Sequence, residues 1–220
     1  MDTTPEKFYS DLMDELNAKA DEAEAASAAE LISTQARQRG DEGYALFFEG
    51  EALCLKGDME QGNVLQKAAT DLLPDVVFVL ANHAVVLSRL GRVKPALAQL
   101  ERALNIDPDD LLSISQKSIC LCKLYRDEEA LAWFDRALQI APGDAHALRN
   151  KGVALSRLGR SAEAMRCFEE VLRLDPDDRH ALSEKKILED EQILRKTPFG
   201  WLILWVRKKV TPALMRMLRG

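Results

Sequence analysis

Histidine is scarce in this chain of 220 residues: only His83, His146 and His180 occur. The last two stand 34 residues apart, so the three are not placed to share one ion. Cysteine is limited to Cys54, Cys120, Cys122 and Cys167, with no Cys-x-x-Cys pair. That argues against a disulfide framework and a thiolate metal site, and leaves buried thiols of a reducing compartment as the expectation. No glycine-rich loop follows a strand, and no serine sits in a nucleophile elbow, so the usual sequence marks of phosphate binding and hydrolase chemistry are missing. Carboxylates are plentiful, but they fall at helix caps and exposed helical positions. No metal, no cofactor and no enzymatic activity are therefore expected. Met1-Asp2-Thr3-Thr4-Pro5-Glu6 has neither a basic start nor an apolar run, so a secretory leader is not expected and the cytoplasm is the expected compartment.

What the chain does have is periodicity. Pro74, Pro108, Pro142 and Pro176 are spaced 34 residues apart. With Gly43 as the first position, four repeats follow, 43–76, 77–110, 111–144 and 145–178, and each proline takes the thirty-second place. The eighth position carries Gly50, Ala84, Ser118 and Gly152; the twentieth, Gly62, Ala96, Ala130 and Ala164; the twenty-seventh, Ala69, Ala103, Ala137 and Val171. Small residues at such places let two helix backbones come close. Bulky ones fill the space between, through Leu46, Leu80, Ile114 and Leu148 at the fourth position, Leu53, Leu87, Leu121 and Leu155 at the eleventh, and Gln66, Leu100, Phe134 and Phe168 at the twenty-fourth. Spacings of three and four place them on one helical face. A 34-residue helix-turn-helix unit cannot bury that face alone, so the repeats must stack, as an all-α solenoid.

These offsets resemble those of the tetratricopeptide repeat family, most closely in the fourth repeat through Leu148, Gly152, Leu155, Ala164, Phe168 and Pro176. Gly57, Gly91 and Gly159 stand where a left-handed residue ends the first helix, and Tyr125 takes that place in the third repeat. The first repeat departs most, with Gly62 and Gln66 where the family favours alanine and an aromatic. Asp107-Pro108-Asp109-Asp110 and Asp175-Pro176-Asp177-Asp178 join repeats and supply an aspartate to cap the next helix.

The resemblance implies a non-enzymatic adaptor or scaffold whose first helices line a concave groove for a protein or peptide partner. At the sixth position Asn82, Gln116 and Asn150 offer amides to a partner backbone. At the thirteenth, Arg89, Lys123 and Arg157 form a basic row suited to partner carboxylates. Tyr44 and Phe78 at the second position, Phe47 at the fifth and Val85 and Ile119 at the ninth supply apolar floor, and Arg149 is the fifth-position residue of the fourth repeat. The family's clamp for chaperone tails needs lysine at the fifth and asparagine at the ninth place of its first repeat, and here those are Phe47 and Glu51. A chaperone-tail adaptor is thus not expected.

The flanks are opposite poles. Residues 1–42 hold eleven acids and four bases. Thr4-Pro5 starts a helix whose Phe8, Leu12 and Leu16 are spaced four apart, and the alanine-rich stretch Ala18 to Leu31 reads as a second. The pair either caps the first repeat or lies in the groove as an acidic arm. After a charged capping helix over 179–196, residues 195–220 hold seven bases and no acid, with Phe199, Trp201, Leu202 and Trp205 preceding Arg207, Lys208 and Lys209. That apolar run is shorter than a membrane span of about 20 residues. It either packs on protein, including a second copy of the chain, or contacts an anionic membrane surface peripherally. Nucleic acid is not an expected partner, because net charge is −6 and the aromatics stand apart from the bases.

Overall fold

The computed structural model describes residues 4–197, and every regular element among them is an α-helix. The candidate residues Phe199, Trp201, Leu202, Trp205, Arg207, Lys208 and Lys209 lie outside the described residues. Two helices precede the repeats, α1 (Pro5–Asn17) and α2 (Glu22–Arg39). The repeats follow as pairs: α3 (Glu42–Leu55) with α4 (Met59–Leu72), α5 (Val77–Arg89) with α6 (Val93–Ile106), α7 (Leu111–Lys123) with α8 (Asp127–Ile140), and α9 (Ala145–Arg157) with α10 (Ser161–Leu174). The last element is α11 (Arg179–Arg195). The chain divides into two compact units, Met1–Ile140 and Ala141–Gly220. No described helix is long and apolar enough to cross a membrane.

Helix starts are set by short polar side chains. Thr4 Oγ1 accepts from Lys7 N–H at 3.3 Å, with Pro5 at the first helical position. In the joining sequences the last aspartate caps: Asp110 accepts from Ser113 N–H at 2.8 Å and Asp178 from Ala181 N–H at 2.8 Å. The aspartate before each proline bonds locally instead, Asp107 to Asp109 N–H at 3.0 Å and Asp175 to Asp177 N–H at 3.1 Å. Between paired helices, Gly57, Gly91 and Gly159 have φ of 91°, 76° and 79°. Tyr125 makes the same turn at φ 58°, so the third repeat keeps the geometry and carries the cost of a side chain in the left-handed region.

Small residues set the distance within each pair. A Cβ on Gly152 would lie 2.7 Å from Phe168 Cε1, and Phe168 is fully buried. In the first repeat a Cβ on Gly62 would meet Cys54 Sγ at 2.3 Å and Gly50 O at 2.7 Å, so glycine replaces alanine because the sulfur already fills that space. Gln66, the other departure, is also fully buried, and its Nε2 donates to Glu51 at 2.8 Å. A buried amide in place of an aromatic is held by that bond.

The N-terminal pair differs from expectation in its bounds. α2 begins at Glu22, not Ala18, because Asp21 caps it through Glu24 N–H at 2.9 Å, and it runs on to Arg39, where Gly40 turns the chain at φ 84°. Its alanines are packing residues: Ala25, Ala26, Ala29 and Ala36 are buried with Ser33, whose hydroxyl donates to Ala45 O at 2.8 Å on α3. Without side-chain bulk, α2 lies close along α3. On α1 the buried face is Tyr9, Met13 and Leu16, with Phe8 and Leu12 at its edge.

His83 is buried beside α4, its Nε2 facing Asn63 Oδ1 at 3.2 Å. Burial, with Lys67 and Arg102 nearby, pushes it from 6.5 down to about 4. Its folded value lies below the unfolded one, so its contribution is complete above about pH 6.5 and is lost as pH falls toward 4. Urea unfolding should therefore show stability falling across that window by at most about 3 kcal/mol more than in a His83→Gln variant. A second expectation concerns packing: Gly152→Ala should overpack the fourth repeat and lower stability by about 1–3 kcal/mol in a thermal melt, whereas substitution at exposed Gly143, with open space around it, should not.

Candidate functional site

The groove face of the first helices is built differently at its N-terminal end from the rest. Tyr9 of α1 stacks on Tyr44 of α3, ring centroids 4.2 Å apart and planes 21° apart, and lies 6.1 Å from Phe48. Its hydroxyl donates to Asp41 Oδ2 at 2.8 Å. Burial, then that bond, pushes the Tyr9 phenol up to about 12, so it stays a donor at neutral pH. Arg39 sits 4.4 Å over the Phe8 ring. The stack continues from Tyr44 to Phe78 of α5 at 6.1 Å, and Phe47 meets Phe78 edge-on at 5.4 Å.

Two of the residues assigned to the groove from sequence are thus core. Phe47 has no exposed surface, with Phe48 and Phe78 against its ring, and Tyr44 is covered by Tyr9 of α1. Phe78 remains half-buried at the edge of the aromatic cluster.

On α5 and α7, which lie side by side, the remaining positions come together. Asn82, Val85, Gln116 and Ile119 are half-buried, and Arg89 and Lys123 are exposed. Asn82 donates through Nδ2 to Phe78 O at 2.8 Å, so one of its N–H groups is committed to its own helix. Lys123 Nζ donates to both the carbonyl and the hydroxyl oxygen of Ser88, each at 2.8 Å. The ammonium thereby neutralises the C-terminal end of α5 and ties two repeats together, with a third N–H left over. In the C-terminal unit Asn150 is half-buried and Arg157 exposed on α9. Arg149 has a structural bond: its Nη2 donates to Asp178 Oδ2, and Nη1 faces His146 Nδ1 at 3.3 Å. Asp178 is held below the ordinary carboxylate range by the Ala181 N–H that it caps, and then by Arg149.

Glu51, at the ninth position of the first repeat, entered the sequence reading only as a departure from the chaperone-tail clamp. It lies beside Leu16, Leu55 and the start of α2 around a small cavity of about 120 Å³, and it accepts from Gln66. Burial pushes its carboxyl up, against the opposing pulls of the Gln66 bond and Arg89. Its only sequence signal was an acid where the next three repeats carry Val85, Ile119 and Val153. Burial likewise pushes the Cys54 thiol up to about 12 and Cys120 in the same direction, so neither is an activated nucleophile. All four cysteines are thiols, and no His, Cys, Asp and Glu group among the described residues is arranged to hold a metal.

Because the folded value of Glu51 is raised, its carboxyl favours folding below the carboxylate range and opposes it as pH rises through the folded value. Glu51→Gln should accordingly be more stable than the parent at pH 7, and the advantage should shrink as pH is lowered. Paired urea titrations at pH 7 and pH 4 check this.

Comparison with known proteins follows the same lines. The family model described as tetratricopeptide repeat matches residues 120–189, and that described as bacterial transcriptional activator domain matches residues 11–144. Among solved structures, YrrB, described as a TPR protein with an unusual peptide-binding site, is 22% identical, with a TM-score of 0.62 over 84% of this chain and 92% of that one. MamA is 17% identical, TM-score 0.61, over 67% of this chain and 86% of that one. The first TPR of Spaghetti (RPAP3), bound to the HSP90 peptide SRMEEVD, is 19% identical, TM-score 0.52, over 53% and 93%. No curated protein matches. At these identities the likeness speaks to the fold, an all-α tetratricopeptide solenoid.

Proposed function

The chain belongs to the tetratricopeptide repeat proteins, its residues 11–144 falling in the family described as bacterial transcriptional activator domain, and we propose that it is a non-enzymatic adaptor. It binds an extended or helical protein segment on the groove face of α5 and α7. The observation that carries this is the cluster there: Phe78, Val85 and Ile119 as apolar floor, Asn82 and Gln116 as amides, Arg89 and Lys123 as exposed cations. Asn150 and Arg157 repeat the amide and the cation on α9 of the C-terminal unit. Two solved neighbours are described as peptide-binding or peptide-bound, which supports the reading at the level of the fold.

The partner segment bears apolar anchors and carboxylates. The acidic amphipathic helix α1, which lies with Tyr9 on Tyr44 at the equivalent position of α3, supports this reading of the partner's chemistry. The second family's name points to transcription; with net charge −6 and an acidic N-terminal pair, contact with protein fits this chain better than contact with DNA.

A panel of acidic amphipathic peptides titrated against the full chain tests this. Arg89→Ala with Lys123→Ala and Arg157→Ala should weaken binding by roughly tenfold and flatten its salt dependence. Asn82→Ala with Gln116→Ala and Asn150→Ala should weaken it without altering that dependence, and neither set should unfold the protein. Equal affinity in both sets would place the ligand elsewhere.

A further inference from the structure

Each repeat turns between its two helices through one left-handed residue, and the third repeat does so without glycine. The backbone bonds are the same in all four. Gly57 N–H donates to Cys54 O and Asp58 N–H to Leu53 O; Gly91 donates to Ser88 and Arg92 to Leu87; Tyr125 to Cys122 and Arg126 to Leu121; Gly159 to Ser156 and Arg160 to Leu155, all at 2.8–3.2 Å. Main-chain groups alone make this turn. Among the described residues Tyr125 is the one non-glycine residue with positive φ, at 58°, where the Cβ of an L residue crowds its own carbonyl. Burial does not offset that strain: Tyr125 is 82% exposed, more than any other large apolar residue among those described, and a Cβ at Gly57, Gly91 or Gly159 would meet nothing within 4 Å. Strain and an exposed ring both oppose folding, so the side chain points to a contact made outside the fold.

The place of the ring says which contact. Tyr125 follows Lys123 by two residues at the C-terminal end of α7, and Lys123 Nζ lies 2.8 Å from Ser88 O at the C-terminal end of α5, where Arg89 comes next. Arg89, Lys123 and Tyr125 thus share one edge of the α5 and α7 face. Beyond the ring the charge changes sign. Arg126 donates through Nε and Nη2 to Glu129, at 2.6 and 2.7 Å, Glu128 is exposed beside them, and Asp127 is buried in the same turn. Three acids against one base at the start of α8 disfavour a partner's carboxylates there and leave them on the Lys123 side.

We propose that Tyr125 is a further contact residue of this groove, its ring taking an apolar anchor of the bound segment next to the carboxylates that Lys123 and Arg89 receive. The contact rests on the adaptor reading above and adds to it an order along the segment, acids first and the anchor at their end. Tyrosine suits this place: it offers a large amphipathic surface at low cost in side-chain entropy, on a turn already fixed by its backbone bonds.

The test uses the full chain and two fluorescein-labelled amphipathic peptides, each with leucines four residues apart, one with glutamates in its N-terminal half and one in its C-terminal half, so that both docking directions are sampled. For the tighter of the two, Tyr125→Gly should weaken binding at least about fivefold. The same variant should melt about 2–4 °C above the parent, because it relieves the left-handed strain. Tyr125→Phe keeps ring and strain, and should bind within about twofold of the parent. A tyrosine serving the fold alone does not give stability and affinity opposite signs. Unchanged affinity in Tyr125→Gly, with Arg89→Ala and Lys123→Ala still weakening the peptide, overturns this contact and leaves the groove standing. A melting temperature no higher than the parent's in Tyr125→Gly assigns the ring to the fold and overturns it too. A loss in Tyr125→Phe as large as in Tyr125→Gly assigns the effect to the hydroxyl and overturns the apolar contact. If neither peptide binds the parent, the groove reading fails and this contact with it.

Discussion

The close approach of the paired helices is the contact on which the other features depend. Where Gly152 meets Phe168, or Gly50 meets Gly62, there is no room for one more carbon, and the large side chains of the neighbouring positions are held by that closeness. The consequence is directional. Once the third, fourth, eighth and tenth positions of a first helix are buried, the sixth, ninth and thirteenth of α5 and α7 keep exposed or half-exposed surface. The surface proposed for binding is therefore a by-product of how the core is divided.

The N-terminal pair shows the same constraint met by other means. The closeness comes from alanines on α2 against α3, with Ser33 satisfying its hydroxyl on Ala45 O. That leaves the outward face of α3 aromatic, and α1 covers it with Tyr9, Met13 and Leu16. Aromatic positions that would be exposed in a chain starting at Gly43 are thereby removed from water. Glu51 is caught at the margin of this cover, which is why its carboxyl is raised.

The repeats were legible in the sequence because their signals are local and periodic: small residues at fixed offsets, proline between repeats, aspartate at the caps. Even the departures kept the geometry, since Tyr125 turns the chain where glycine does in the other repeats. The groove was less legible. Position within a repeat says which way a side chain points, but not what else lies there, and Tyr44 belonged to the groove face by number yet is covered by Tyr9 of α1, while Phe47 is buried against Phe48 and Phe78. Arg149 has a bond that its position did not announce: its partner, Asp178, lies 29 residues on and is itself a helix cap. The division at Ile140 has no periodic signature at all, because the 34-residue spacing runs through it unbroken.

Charge completes the picture by sorting these surfaces. The cations at the thirteenth position are placed where helix ends expose carbonyls, and Lys123 satisfies that demand through Ser88 while it still presents its charge. A structural role and a binding role are thus not alternatives for this residue. The dipole of α5 and the Ser88 oxygens fix where the ammonium sits, and in the proposed complex that fixed position would leave little side-chain entropy to be lost on meeting a carboxylate. Arg89 is exposed, and its charge opposes the rise that burial imposes on the Glu51 carboxyl. In the proposed complex an acidic segment would take its orientation from the anchored Lys123, over Phe78, Val85 and Ile119.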